Sequence, residues 1–198
     1  MLKINGGEFR SRILETPPDS ETTRPITARV KESVFNLLRG WFEDGVVLDL
    51  FAGVGAIGLE AVSHGAREVV MVERDPRIEA ILRRNVRSLD CEDRAIVVRA
   101  DAMGPAALAQ APRDCDLVFL DPPYPLWTDS DTRQDIRELA VRCRQHMKDK
   151  SFLVLRIPTP WGDEPPLEGF DGPEIHEYSP DMYVHLFAPT LQSDEDRV

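Results

Sequence analysis

From residue 46 onward, short apolar runs alternate with segments of helical period. The runs are VVLDLF (46–51), EVVMVE (68–73), AIVVRA (95–100), DLVFL (116–120) and SFLVLRI (151–157). They are nearly continuous in apolar residues, as expected of strands buried on both faces. Between them lie AIGLEAVSHG with its glycine stop and PRIEAILRRNVRSL with Pro76 suited to the first turn. A short helix from about Pro105 and the amphipathic RQDIRELAVRCRQHM follow. Strands alternating with helices predict right-handed crossovers and a mostly parallel α/β sheet covered on both faces. EIHEYSPDMYVHLFAP predicts two strands around a Ser-Pro-Asp turn, an antiparallel hairpin closing that sheet. PWGDEPPLEGFDGP, just before it, is Pro/Gly-rich and irregular.

Residues 1–45 precede the alternation as an N-terminal extension. In TARVKESVFNLLRGWF, helical spacing puts Val30, Val34, Leu37, Leu38 and Trp41 on one face, with Thr27 as N-cap. Arg29, Glu32, Asn36 and Arg39 recur on the opposite face. Two readings stay open: an ordinary helix packed on the domain, or one from which Arg24, Arg29 and Lys31 face a polyanion. The expected divisions are 1–45, a main domain over 46–190 and an acidic tail over 191–198, QSDEDRV reading as a frayed terminus.

Composition narrows the function classes. A chain of 198 residues that is 42% hydrophobic fits one globular domain. It has no apolar stretch long enough for a membrane span, and MLKINGGEFRSR lacks the apolar core of a signal peptide, so a cytoplasmic location is expected. Cys91, Cys115 and Cys143 form no CxxC, and His64, His146, His176 and His185 form no close ligand pair. Reduced thiols and no metal are expected. The formal net charge of −11 is unfavourable for a nucleic-acid partner, but it is unevenly spread. Residues 1–40 carry seven Lys/Arg against five acids, a net +2, whereas residues 157–198 carry ten acids against Arg197, a net −9. RNA or DNA contact is therefore expected at the N-terminal end.

Gly53-x-Gly55-x-x-Gly58 falls between a predicted strand and a predicted helix, the setting of a dinucleotide-type loop. Glu73, twenty residues beyond Gly53 at the end of the second strand, is placed to hold ribose hydroxyls. Two cofactors suit loop and acid equally: a nicotinamide dinucleotide, or S-adenosylmethionine with its ribose and carboxylate. Asp101, after the third strand, could meet an adenine amino group or cap the next helix.

The fourth strand ends in Asp121-Pro122-Pro123-Tyr124. Proline cannot donate to a sheet ladder, so the strand stops there and its end opens onto the crevice of the glycine loop. The motif offers a carboxylate, carbonyls on a stiff frame and an aromatic face. Hydride transfer has no evident use for that set. Methylation of a planar NH2 does, because hydrogen bonds to Asp121 and the Pro122 carbonyl would aim the nitrogen lone pair while Tyr124 stacks on the ring. The choice of cofactor then falls on S-adenosylmethionine.

With these residues assembled, the chain resembles the RsmD-type methyltransferases, which methylate the exocyclic N2 of one guanine in bacterial small-subunit ribosomal RNA. INGGEFRSRIL, RPITARVKESVFNLL, DLFAGVGAIGLEAVSHGA, VVMVERD and DLVFLDPPY carry the resemblance over roughly residues 1–156. It implies a Rossmann-like class I S-adenosylmethionine-dependent fold and a ribosomal RNA or small-subunit particle as partner, with no membrane, no metal and a monomeric state. It further implies cofactor contacts from Asp49, Phe51, Gly53, Gly55, Gly58, Glu73, Arg74, Asp101 and Ala102. The catalytic set is Asp121, Pro122, Pro123 and Tyr124, with RNA contacts from Arg10, Arg24, Arg29 and Lys31. The chain departs from the family at Arg156, where an acid is usual, and at HEYSPDMYVHLF, where a Lys-x-Tyr-Gly-Asp-like stretch is usual. Other amino-methyltransferases (acting on DNA adenine or protein glutamine), a nicotinamide-dependent oxidoreductase and a non-catalytic RNA-binding relative are the rival readings.

Overall fold

In the computed structural model, residues 2–18, 27–162 and 164–191 are described. The strands are β1 (Val46–Asp49), β2 (Glu68–Glu73), β3 (Ala95–Arg99), β4 (Cys115–Leu120), β5 (Met147–Ile157), β6 (Phe170–Ser179) and β7 (Met182–Pro189). They form one sheet in the order β3-β2-β1-β4-β5-β7-β6, parallel from β3 through β5 and antiparallel at β7 and β6. The parallel sheet and the closing hairpin are as expected from the alternation. β6 begins at Phe170, four residues ahead of the expected Glu174, and takes up the end of the irregular segment.

The helices are α1 (Ala28–Leu37), α2 (Gly58–Ser63), α3 (Pro76–Ser88), α4 (Pro105–Ala109), α5 (Tyr124–Thr128) and α6 (Ser130–Cys143). Pro76 opens α3 behind Asp75, whose carboxylate accepts from the N–H groups of Arg77 and Ile78. Side chains alternate across β1: Val47 joins a core with Val34, Phe35, Leu59 and Leu82, while Val46 and Leu48 join another with Leu108, Ile136 and Leu139. The sheet is therefore covered on both sides. No described helix is long and apolar enough to cross a membrane.

The N-terminal segment shares the first core through Ile4, Phe9 and Leu14. It docks on α2 through polar contacts. Both Glu60 carboxylate oxygens accept from Asn5 N (2.9 Å each), Oε1 also from Gly6 N (2.8 Å), and Ser63 O accepts from Glu8 N (2.8 Å). Thr27 caps α1 as expected, its hydroxyl accepting from Val30 N. The buried face of α1 differs from the expected one. It is Val30, Lys31, Val34 and Phe35, continued by Leu38, while Leu37 is 41% exposed.

Candidate active site

The chain runs outward from β1 to β2 and β3, then returns to place β4 on the other side of β1. That reversal leaves a crevice beyond the carboxyl ends of β1 and β4, the ligand position of open α/β sheets. Asp49 ends β1 and Asp121 directly follows β4, so both carboxylates arrive there.

Asp49 is completely buried. One carboxylate oxygen accepts from Gly58 N at 3.1 Å, and the other has no hydrogen-bond partner among the described residues. Burial and the neighbouring Asp121 push its carboxyl up to about 7. The loop then turns through Gly53, whose φ of +55° favours glycine, and nothing lies within 4 Å of where a Cβ would stand. Gly58 serves packing instead: an added Cβ would meet Met71 Cγ and Sδ at 2.5 Å. Glu73 buckles the turn, accepting from Gly53 N at 3.0 Å and Asp75 N at 2.7 Å. Each oxygen retains a second lone pair for a ligand hydroxyl. An orphaned buried carboxylate oxygen and an open glycine turn among acids suit a cofactor that brings hydroxyls and positive charge.

The remaining expected cofactor residues lie on the same rim. Phe51 is half-buried against the second core, and Ala102 is buried within it. Arg74 and Asp101 are exposed and 3.7 Å apart. Asp101 accepts from Met103 N at 3.1 Å and so caps a turn; the N-cap of α4 is Gly104, which corrects the helix-cap alternative.

The Asp-Pro-Pro-Tyr stretch is stiff, as its prolines require. Tyr124 is the first residue of α5, a short helix the periodicity does not show, and Pro123 is its N-cap. Pro123 O accepts from Leu126 N at 2.9 Å, so Pro122 holds the carbonyl outside the helix. Asp121 is held from β5. Arg156 Nε donates to Oδ1 at 2.6 Å and Nη2 to Oδ2 at 3.0 Å, with side chains 8% and 13% exposed. The same guanidinium donates from Nη1 to the Tyr124 hydroxyl at 3.3 Å and lies 5.4 Å from the ring centroid. Behind the pair is an apolar recess lined by Val34, Phe35, Ile57 and Val184.

Arg156 is the residue that motif reading left without a role. Its signal was an arginine inside the apolar run SFLVLRI, which demands a partner at a neighbouring strand end. Of the expected RNA contacts, Arg10 and Arg29 are exposed. Arg24 lies outside the described residues. Lys31 is a correction: it is 1% exposed, with Nζ 2.9 Å from Lys3 O and 2.5 Å from Glu60. Its position on α1 turns it inward beside Val34 and Phe35, where the Glu60 charge stabilises it.

Sheet order and crevice together define the Rossmann-like fold of class I methyltransferases. Residues 2–168 match the family described as conserved hypothetical protein 95, and the chain belongs to that family. It is 41% identical over 123 residues to the ribosomal RNA small subunit methyltransferase D of Escherichia coli K12, covering 62% of this chain and 60% of the relative. It is 38% identical over 125 residues to the putative rRNA methyltransferase YlbH of Bacillus subtilis, covering 62% and 67%. These alignments span about two thirds or less of the relatives' length. The solved putative methyltransferase yhhF from Escherichia coli superposes with a TM-score of 0.79 at 28% identity, over 96% of this chain and 99% of that one. The RsmD-type resemblance drawn from the motifs is borne out.

Proposed function

We propose that the chain is an S-adenosylmethionine-dependent methyltransferase acting on the exocyclic N2 of a guanine in small-subunit ribosomal RNA. The observation that carries this reading is the meeting of Asp49, the Gly53 turn and Asp121-Pro122-Pro123-Tyr124 at the β1/β4 reversal. The loop motif by itself suited two cofactors equally; the charges around it favour one. Asp49, Glu73 and Asp121 make the crevice acidic, which repels a pyrophosphate and attracts a sulfonium and an ammonium.

When bound, S-adenosylmethionine supplies an electrophilic methyl group. Glu73 would hold its ribose hydroxyls, Asp49 its cationic end, and the Gly53 turn its close approach. The Asp121 carboxylate and the Pro122 carbonyl accept the two protons of the target amine, which directs the nitrogen lone pair outward. Tyr124 offers a face on which an unstacked base can lie. A base inside a helix must first be flipped out. Arg10, Arg24 and Arg29 remain the candidates for phosphate contact.

The test is methyl transfer from radiolabelled cofactor to naked ribosomal RNA, assembled small subunits, duplex DNA and protein, followed by nucleoside analysis. Label in N2-methylguanosine is expected, with Glu73→Ala weakening cofactor binding. Label confined to adenine or to protein, or tight binding of NAD in place of S-adenosylmethionine, would overturn the reading.

A further inference from the structure

We propose that Arg156 is a positioning residue for methyl transfer, its planar fork fixing the Asp121 carboxylate and the Tyr124 ring relative to one another. The inference rests on reading the crevice as an amino-methyltransferase site. One guanidinium joins the two residues: two of its N–H groups donate to the two oxygens of Asp121, a third to the Tyr124 hydroxyl, and its carbon lies over the Tyr124 ring. A bidentate fork sets the plane of a carboxylate, which the point charge of a lysine cannot do. The pairing does not use up Asp121, because each oxygen keeps a lone pair for the target amine.

The second contribution is to the charge state. The charged and titratable groups facing Asp121 among the described residues are Asp49 from β1, Arg156 from β5 and Tyr124 from α5. Among the described residues, α1 and β7 bring Val34, Phe35 and Val184 to the recess. Burial holds the Asp121 carboxyl above its ordinary range, and Arg156 opposes that rise. Without the arginine, a second, largely shielded acid beside Asp49 would take a proton. It would then present an O–H donor to an amine that needs an acceptor.

The experiment compares wild type, Arg156→Met and Arg156→Lys in two measurements. The first is a carboxyl-carbon NMR titration of 13C-aspartate-labelled protein without cofactor, with Asp121→Asn supplying the assignment. The second is single-turnover methyl transfer to the RNA substrate as a function of pH. In Arg156→Met the Asp121 midpoint is expected to rise by about 1–3 pH units. Its turnover should fall about 100-fold at pH 7 and recover as pH rises, with KM for RNA little changed. Arg156→Lys keeps the charge and the fold. It should titrate close to wild type yet turn over more slowly at every pH, because the fork is lost. An unmoved Asp121 midpoint in Arg156→Met, or wild-type turnover in Arg156→Lys, overturns the proposal. If wild type methylates no RNA, the reading of the crevice fails, and the titration still decides what Arg156 does to Asp121.

Discussion

Two carboxylate–cation pairs among the described residues, one buried and one nearly so, are built to opposite ends. Glu60, on α2, meets Lys31 with both side chains 1% exposed. Burial pushes the Glu60 carboxyl up, but His64, Lys31 and the Asn5 N–H outweigh it, so Glu60 ends below its ordinary range. Asp121 meets Arg156 at the crevice, and there burial wins over the arginine, so the carboxyl ends above its range. The first pair is compensated from all sides and ties the N-terminal segment and α1 to α2. In the second, both Asp121 oxygens accept from the one guanidinium of Arg156, and the neighbouring Asp49 keeps a buried oxygen without a partner among the described residues. Full satisfaction marks a fastening, and incomplete satisfaction marks a site.

The sharpest way to break this contrast is to remove each acid or its partner. Asp121→Ala should lower single-turnover methyl transfer about 1000-fold while leaving the cofactor Kd within a few-fold of wild type. Comparable turnover in rapid-quench assays would dissolve the distinction. Lys31→Met should act on stability, costing about 3–5 kcal/mol in urea unfolding because the Glu60 charge stays buried without its cation. Since Glu60 titrates below its ordinary range when folded, its contribution is present at neutral pH and lost on acidification. The gap between Lys31→Met and wild type should therefore narrow below about pH 4.5.

Asp49 supplies the opposite sign. Its folded value of about 7 means that stability is fully present below its ordinary value of 3.8 and lost as pH rises through 7. Asp49→Asn should then be more stable than wild type at pH 8 by about 2 kcal/mol, roughly half of what the full shift would give. The two should converge near pH 4, as calorimetry at the two pH values would show. The smallest effect belongs to the exposed Arg84–Glu15 pair, 2.7 Å apart with side chains 51% and 49% exposed. Arg84→Ala should leave the Tm unchanged, since solvent screens such pairs.

The Rossmann-like order of elements was legible because strands buried on both faces carry unbroken apolar runs and glycine turns punctuate them. The glycine loop was legible for a local reason: Gly53, Glu73 and Asp49 meet within a short stretch of chain on adjacent parallel strands. Lys31 was misread because helical spacing fixes which residues share a face, but not which polar residue on the buried side finds a partner. Glu60 stands 29 residues away on another helix. The helix at Tyr124 was hidden because a proline-rich stretch shows no period, although proline fits a first turn.

The sequence by itself determined the alternating elements, the glycine turn, the acid at the second strand end and the rigid Asp-Pro-Pro-Tyr stop, since each depends on residues close along the chain. Only the tertiary structure decided which charges meet. β5 lies beside β4, so Arg156 reaches across 35 positions to grip Asp121, and α1 folds over α2, so Lys31 turns inward to Glu60. Burial then settles the outcome. The same kind of ion pair becomes a fastening where its donors outweigh burial, as at Glu60, and stays primed where burial prevails, as at Asp121 beside the unpartnered oxygen of Asp49.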